Sequence, residues 1–503
     1  MGAPGRCARI EEFDGLPTLS SFAAGYAAKV TTRTETVRKM PLPALTAMVV
    51  GSMVGAGVFS LPRNFAQATG VLGTLVAWLI AGIGMLMLAL VFQTLAVRKP
   101  QLDAGVYAYA KAGFGQFPGF FSAFGYWASA CVGNVSYWVL IKSTLGAVVP
   151  AFGEGATLIA VVVSAIGVWA FHFMILRGVK EAATINQIVT VAKVLPILTF
   201  VVILAISVKG GVFAGNLHGG PQSLFEQVRS TMLVTVFVFL GVEGASVYSR
   251  YARRRADVGR ATVLGFLGVL ALFASVTILS YTALPQRELA GLRQPSMAGV
   301  LAAVVGPWGA TFVSIGLIVS VLGAYLAWTL MAAEVLYVAA KDRDMPAFLT
   351  RENDQNVPVA ALLMTSVLIT CVLSITIFSD DAFTFTLELT SALSLIPYLL
   401  AAGYALQLAI KGETYDLDPR GRRKDLTIAA LATFYTAFLI VAAGLKFLLL
   451  SCIIYAPGTV LFALTRREHG MRVFSPAEFV LFAITVIGAV IAVAGLAMGW
   501  LTI

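Results

Sequence analysis

Charge is what this sequence has least of. Asp, Glu, Lys and Arg make up 12% of its 503 residues, about half the share of an ordinary soluble domain. Reactive side chains are also sparse. The three histidines are His172, His218 and His469, and the four cysteines are Cys7, Cys131, Cys371 and Cys452. None stands at metal-ligand or CxxC spacing, which argues against a metal site, a redox motif and a disulfide framework. Each histidine reads as a loop or helix-end residue, and Cys131, Cys371 and Cys452 as small core residues. A nucleotide P-loop and a dinucleotide fingerprint are both missing. No cofactor and no nucleic-acid partner is therefore expected.

What is there is apolar. Hydrophobic residues make up 59% of the chain, and mean hydropathy is +0.87. They fall in blocks of about 20, enough to cross a ~30 Å hydrocarbon core, where a membrane barrel would show short alternating strands. The fold class is thus an all-α polytopic membrane protein in a lipid bilayer. Thirteen blocks run approximately 43–69, 72–97, 113–148, 157–176, 183–208, 227–250, 262–284, 300–340, 358–378, 383–410, 426–446, 448–464 and 477–501. Blocks 113–148 and 300–340 exceed one span, so each should carry an extra interfacial turn or helix. Residues 1–40 read as a disordered cytoplasmic tail, because Ser20–Ala28 is too short and mixed for a signal-peptide core. A start nearer Met40 is the other reading. A membrane-embedded enzyme would need catalytic clusters, and a sensor a soluble output domain. Neither pattern is present.

The net charge of +10 is a topology signal. Of 35 Lys and Arg, 27 fall in alternate gaps beginning with the tail, such as Arg98, Lys99, Lys111, Arg253–Arg255, Lys341 and Arg420–Lys424. Six fall on the other side: Arg63, Lys209, Arg229, Arg287, Arg293 and Lys446. Lys142 and Lys193 lie inside spans. The positive-inside rule puts the N-terminus in the cytoplasm and, after thirteen spans, the C-terminus outside. Arg253–Arg255 reads as a stop-transfer loop, with lipid headgroup binding as the alternative.

Two blocks are interrupted. The first holds Gly51, Gly55 and Gly57 at mid-membrane, where glycines favour unwinding and let a ligand reach bare backbone. GxxxG packing through Gly51 and Gly55 is the alternative. The sixth holds Gly241-Val242-Glu243-Gly244, a carboxylate between glycines in an apolar span. A charge at that depth marks a functional site or a structural ion pair. Ala56 and Val242 are 186 residues apart, so blocks one to five and six to ten each begin with a broken helix. That spacing predicts five-plus-five inverted repeats with the site between them. Freed N–H groups suit an α-carboxylate, and unwound carbonyls suit an α-ammonium.

These motifs resemble the amino acid–polyamine–organocation superfamily and, within it, the basic amino acid/polyamine antiporters, over most of residues 40–465. The likeness rests on Gly55-Ala56-Gly57-Val58-Phe59, Gly241-Val242-Glu243, Tyr126-Trp127 with Gly133-Asn134, Trp328-Thr329-Leu330 and Pro397-Tyr398. Tyr455-Ala456-Pro457-Gly458-Thr459, Arg466-Arg467-Glu468 and the thirteenth span look like the arginine/ornithine antiporter subgroup. The resemblance implies a LeuT-like transporter core over 41–465, with repeats at about 43–208 and 227–410 and then helices eleven and twelve. Residues 466–503 would be a loop and the thirteenth helix.

It also implies residue roles. Ala56 and Gly57 would give backbone N–H groups to the substrate carboxylate, Gly55 would line the binding site beside them, and the carbonyls of Met53, Phe237 and Leu240 would take its ammonium. Phe237 stands where relatives often have Trp, and Ala56 where some have Ser. Trp328 would flank the side chain, and Asn134 and Thr390 would hydrogen-bond its cationic end. Tyr126, Glu243 and Tyr398 look like an inner gate. Lys193 would carry a coupling proton, fix carbonyls freed by the first break, or snorkel. Glu334 would contact the substrate cation or pair with a nearby base. Lys142 reads as snorkelling, and Asp380, Asp381 and Glu388 as a solvated loop or a cation-attracting vestibule. The function implied is antiport of cationic amino acids, arginine for ornithine, in a bacterial inner membrane. Proton-coupled symport, or exchange of lysine, agmatine or polyamine, is the alternative. Assembly is left open, with a homodimer as one form.

Overall fold

The structure, a computed structural model, describes residues 41–102, 105–178, 183–243, 255–416 and 419–503. The readings made for residues 1–40, for Gly244 and for the Arg253–Arg255 side chains lie outside the described residues. Within them the chain is helical, and an isolated bridge between Glu352 and Pro358 is the one β feature.

The chain begins with α1 (Leu42–Met53), α2 (Leu61–Ala68), α3 (Val71–Arg98), α4 (Val106–Phe114), α5 (Gln116–Gly146), α6 (Leu158–Leu176) and α7 (Ala183–Ile206). A short α8 (Gly210–Gly215) precedes α9 (Leu224–Phe239), α10 (Arg255–Ala283), α11 (Gln286–Ala290), α12 (Ser296–Val305), α13 (Pro307–Lys341), α14 (Val359–Ile375) and α15 (Ala382–Lys411). The chain ends in α16 (Pro419–Glu468) and α17 (Pro476–Met498).

Eight described helices are long and apolar enough to cross a membrane, and the bent pair Leu45–Met53 with Ala56–Ala68 makes a ninth. The 50-residue α16 holds Gly444 at φ 74° and ψ 171°, which divides it into spans 419–443 and 445–468. The helices α5, α7 and α9 complete the thirteen. Hydropathy undervalues α5 because it buries Ser122, Ser129, Asn134, Ser136 and Ser143 against neighbours. It undervalues α9 because that helix stops at a break.

Packing has the symmetry of an inverted repeat. Helix α5 lies along α15 and α13 along α7, while α1 packs on α10 and α9 on α3. Exchanging the first five spans for the next five turns each pair into the other. The two long blocks resolve alike, into a short helix, a glycine corner and a long helix. Gly115 before α5 has φ 94° and ψ −173°, and Gly306 before α13 has φ 88° and ψ −175°. Only glycine takes that conformation without strain. Close approach of α13 to α7 also needs small residues. A Cβ on Gly316 would stand 2.4 Å from Pro196, and one on Gly323 would stand 2.1 Å from Val189.

Loop contacts sort the gaps into two sets. On the basic side, Lys99 pairs with Glu413, Arg98 with Asp425 at 2.9 Å and Lys111 with Asp344 at 2.6 Å. Burial pushes the Asp344 carboxyl up from its ordinary pKa despite that lysine. On the other side, Arg63 pairs with Asp381 at 2.9 Å and Glu154 at 3.5 Å, and Arg293 donates to the Ser143 carbonyl at 3.0 Å. The sets alternate along the chain, as the Lys and Arg distribution requires.

Three readings change. Cys371 is exposed on the outer surface of α14 rather than in the core. Lys142 does not snorkel: it is buried, 5.0 Å from the Phe152 ring centroid and 5.7 Å from that of Trp138. His172 is buried within α6, 2.9 Å from the Ser366 hydroxyl.

Candidate functional site

The two breaks meet. Helix α1 stops at Met53, Val54 and Gly55 are extended, and a 3-10 turn over Ala56–Ser60 leads into α2. The bend is 50°. Helix α9 stops at Phe239, and Gly241 follows at φ 100°. A Cβ on Gly241 would stand 2.2 Å from the Ser52 carbonyl oxygen, so the backbones of both breaks touch there.

The first-break glycines divide by environment. A Cβ on Gly51 would meet nothing within 4 Å, and one on Gly55 only the Tyr137 hydroxyl at 3.8 Å. Tight GxxxG packing is thus not their reason. Gly57 is different: its Cβ would stand 2.8 Å from both Phe237 and Val238.

A cavity opens where these backbones part. It is lined by Met53, Gly55, Ala56, Gly57, Phe237, Leu240, Trp328 and Thr390, which the sequence singles out. Asn134 is not on the lining. It stands behind it, fully buried, and donates to the Thr329 hydroxyl at 3.0 Å. Ser129, Ala130, Gly133 and Tyr137 also line the cavity and were missed. With Tyr126 they form a stripe at 126, 130, 133 and 137, a helical spacing of small residues between two tyrosines that was legible in principle. The free space is about 30 Å³, room for about two waters. A larger ligand must displace side chains.

Glu243 stands on the basic-loop side of the cavity, beside Tyr126 and Tyr398. It accepts from the Tyr126 hydroxyl at 2.5 Å, the Tyr398 hydroxyl at 2.6 Å and the Gly241 N–H at 3.2 Å. Two helices, α5 and α15, and the second break are tied to one buried carboxylate. Toward the opposite loops lie the Arg63 pairs, Gln294 donating to Asn64 at 2.9 Å and the Ser296 hydroxyl donating to the Phe59 carbonyl at 3.4 Å. Lys193 reaches from α7 and donates to the Gly51 carbonyl at 2.6 Å. Glu334 lies away from this cavity and lines a separate one. Asp381 is engaged by Arg63 and caps α15 through the Thr384 N–H at 3.0 Å. Among the described residues no group of His, Cys, Asp or Glu could hold a metal.

A sequence model of the amino acid permeases matches residues 42–459, both breaks included. The chain belongs to the amino acid permease family. This permease is 50% identical over 479 residues to an arginine/ornithine antiporter of Pseudomonas aeruginosa, covering 93% of its own length and 99% of that protein. It is 39% identical to an L-lysine transport protein of Corynebacterium glutamicum, over 97% and 100% of the two chains. It is 37% identical to an arginine/agmatine antiporter of Chlamydia abortus, over 82% and 87%. The permease is thus a multi-pass membrane transporter, and nothing in its cavity requires bond-making chemistry.

Proposed function

We propose that this permease exchanges arginine for ornithine, one for one, across the cytoplasmic (inner) membrane of a bacterium, with its N-terminus in the cytoplasm. The observation that carries the reading is the 50% identity, across nearly both full lengths, with an arginine/ornithine antiporter. In this reading the N–H groups of Ala56 and Gly57, beside Gly55, take the α-carboxylate, favoured by the partial positive charge where α2 begins. Carbonyls at Met53, Phe237 and Leu240 take the α-ammonium. Phe237 and Trp328 hold the basic stem between aromatic faces, and Thr390 and, behind it, Asn134 act at its far end. Glu243 with Tyr126 and Tyr398 forms the inner gate, and the repeats at about 43–208 and 227–410 rock around the site. Both substrates are cationic, so the exchange moves no net charge.

Proteoliposomes loaded with ornithine should take up labelled arginine, and empty vesicles should not. Uptake indifferent to internal ornithine would reject exchange. Lysine and agmatine belong in the same competition panel because relatives carry those names. A homodimer is the assembly we put forward, to be tested by native mass spectrometry from detergent.

Lys193 is the residue on which a second reading, proton coupling, turns. Its bond to the Gly51 carbonyl suits a fixed cation that holds the broken α1 in place. On that account Lys193→Ala lowers exchange about tenfold, a loss of ~1.4 kcal/mol, equally from pH 6 to pH 8. A changed pH profile in the variant would favour the proton-coupled symporter instead.

A further inference from the structure

Among the described residues, four hydroxyl side chains line the central cavity, and three of them are spent on backbone. Ser52 donates to the Val49 carbonyl at 2.8 Å, Ser129 to the Thr390 carbonyl at 2.9 Å and Thr390 to the Thr386 carbonyl at 2.7 Å. The fourth is Tyr137. It is 6% exposed, and no described group hydrogen-bonds to its hydroxyl. Tyr126, on the same face of α5, is by contrast bound to Glu243. Tyr137 lies eleven residues further along that helix, about 16 Å nearer the outer loops.

Position and chemistry both direct this hydroxyl to an anion. A Cβ on Gly55 would stand 3.8 Å from it and meet nothing else within 4 Å. The hydroxyl therefore faces the first break with no side chain between. There the 3-10 turn over Ala56–Ser60 begins, and the first N–H groups of such a turn have no partner inside it. The hydroxyl proton needs an acceptor, since a buried donor left without one costs free energy. Arginine and ornithine supply one kind. Their ammonium and guanidinium groups are donors only, so the α-carboxylate is the sole acceptor.

We infer that Tyr137 is a specificity-determining residue, whose hydroxyl donates to the substrate α-carboxylate and so selects amino acids over their decarboxylated amines. This inference rests on the reading of the permease as a carrier of arginine and ornithine through this cavity. With substrate bound, the phenol joins the backbone N–H groups of Ala56 and Gly57 around one anion. Agmatine, the decarboxylated form of arginine, keeps the ammonium and the guanidinium but leaves the hydroxyl unpaired. A site built to hydrogen-bond a substrate group rejects the analogue that lacks it.

The test is equilibrium competition against labelled arginine on the purified permease, wild type and Tyr137→Phe. The competitors are arginine, ornithine and agmatine. Phenylalanine keeps the ring and its packing, and gel filtration reports folding. Tyr137→Phe should weaken arginine and ornithine about tenfold, the scale of one hydrogen bond to a charged group, and leave agmatine unchanged. An equal loss for all three overturns the inference, because it marks a contact with the stem or the ammonium, or altered packing. Unchanged arginine affinity overturns it too. Wild type supplies a measurement that needs no variant: agmatine binding as tightly as arginine would show that the carboxylate is not recognised. If the permease carries lysine instead of arginine, the substrate reading fails while the same comparison runs with labelled lysine and its decarboxylated amine.

Discussion

Gly241→Ala should reduce exchange to background, whereas Gly51→Ala should keep most of it. Gly241 has φ 100°, in the half of backbone space that costs an L side chain roughly 1–2 kcal/mol. Its new Cβ would also stand 2.2 Å from the Ser52 carbonyl oxygen. That oxygen belongs to a backbone and cannot swing aside as a side chain can. Relief requires the two broken helices to separate, and they meet at the cavity wall. At Gly51 an added methyl meets nothing within 4 Å. Alanine there should even favour the helix by up to ~1 kcal/mol. Counterflow of labelled arginine, with gel filtration to report folding, checks both. An active Gly241→Ala, or an inactive but folded Gly51→Ala, would contradict the geometry.

Glu243→Gln should cut exchange at least tenfold while the protein remains folded. Two tyrosine hydroxyls and a backbone N–H donate to the carboxylate, and hydrogen bonds to a charged group are worth about 1.5–3 kcal/mol each. Glutamine keeps one acceptor oxygen and presents an NH₂ where the other stood. One tyrosine must then accept instead of donate, and the charge assistance is lost at both. Closure on the basic-loop side weakens accordingly. Tyr398→Phe removes a single donor and should cost less than the carboxylate change. Equal exchange rates in Glu243→Gln and wild type would show that closure does not depend on these bonds.

The sequence made the fold readable because a bilayer leaves few choices. Apolar blocks of about 20 residues must become helices, since unpaired backbone groups are too costly in hydrocarbon. Lys and Arg then sort the gaps between them. The glycine clusters at 51–57 and 241–244 pointed to the breaks, and eight of the nine binding residues proposed from resemblance line one cavity. Asn134 fell behind that lining. It sits on the right helix, but the face a side chain presents depends on how neighbouring helices rotate against each other. Periodicity within one apolar helix does not reveal that rotation. Lys142 shows the same effect, with its ammonium among the Trp138 and Phe152 rings.

By itself the sequence determined the class, the thirteen spans, their alternation and the places where two helices give way. All of these follow from local composition and from the energetic cost of placing polar groups in lipid. Tertiary structure alone decided why Gly57 and Gly241 cannot carry a side chain while Gly51 has room for one. It alone brought Tyr126, Tyr398 and Glu243 together across 117 and 155 residues of chain. Those contacts are made between helices, and their distances are set by packing that no single stretch of the chain contains.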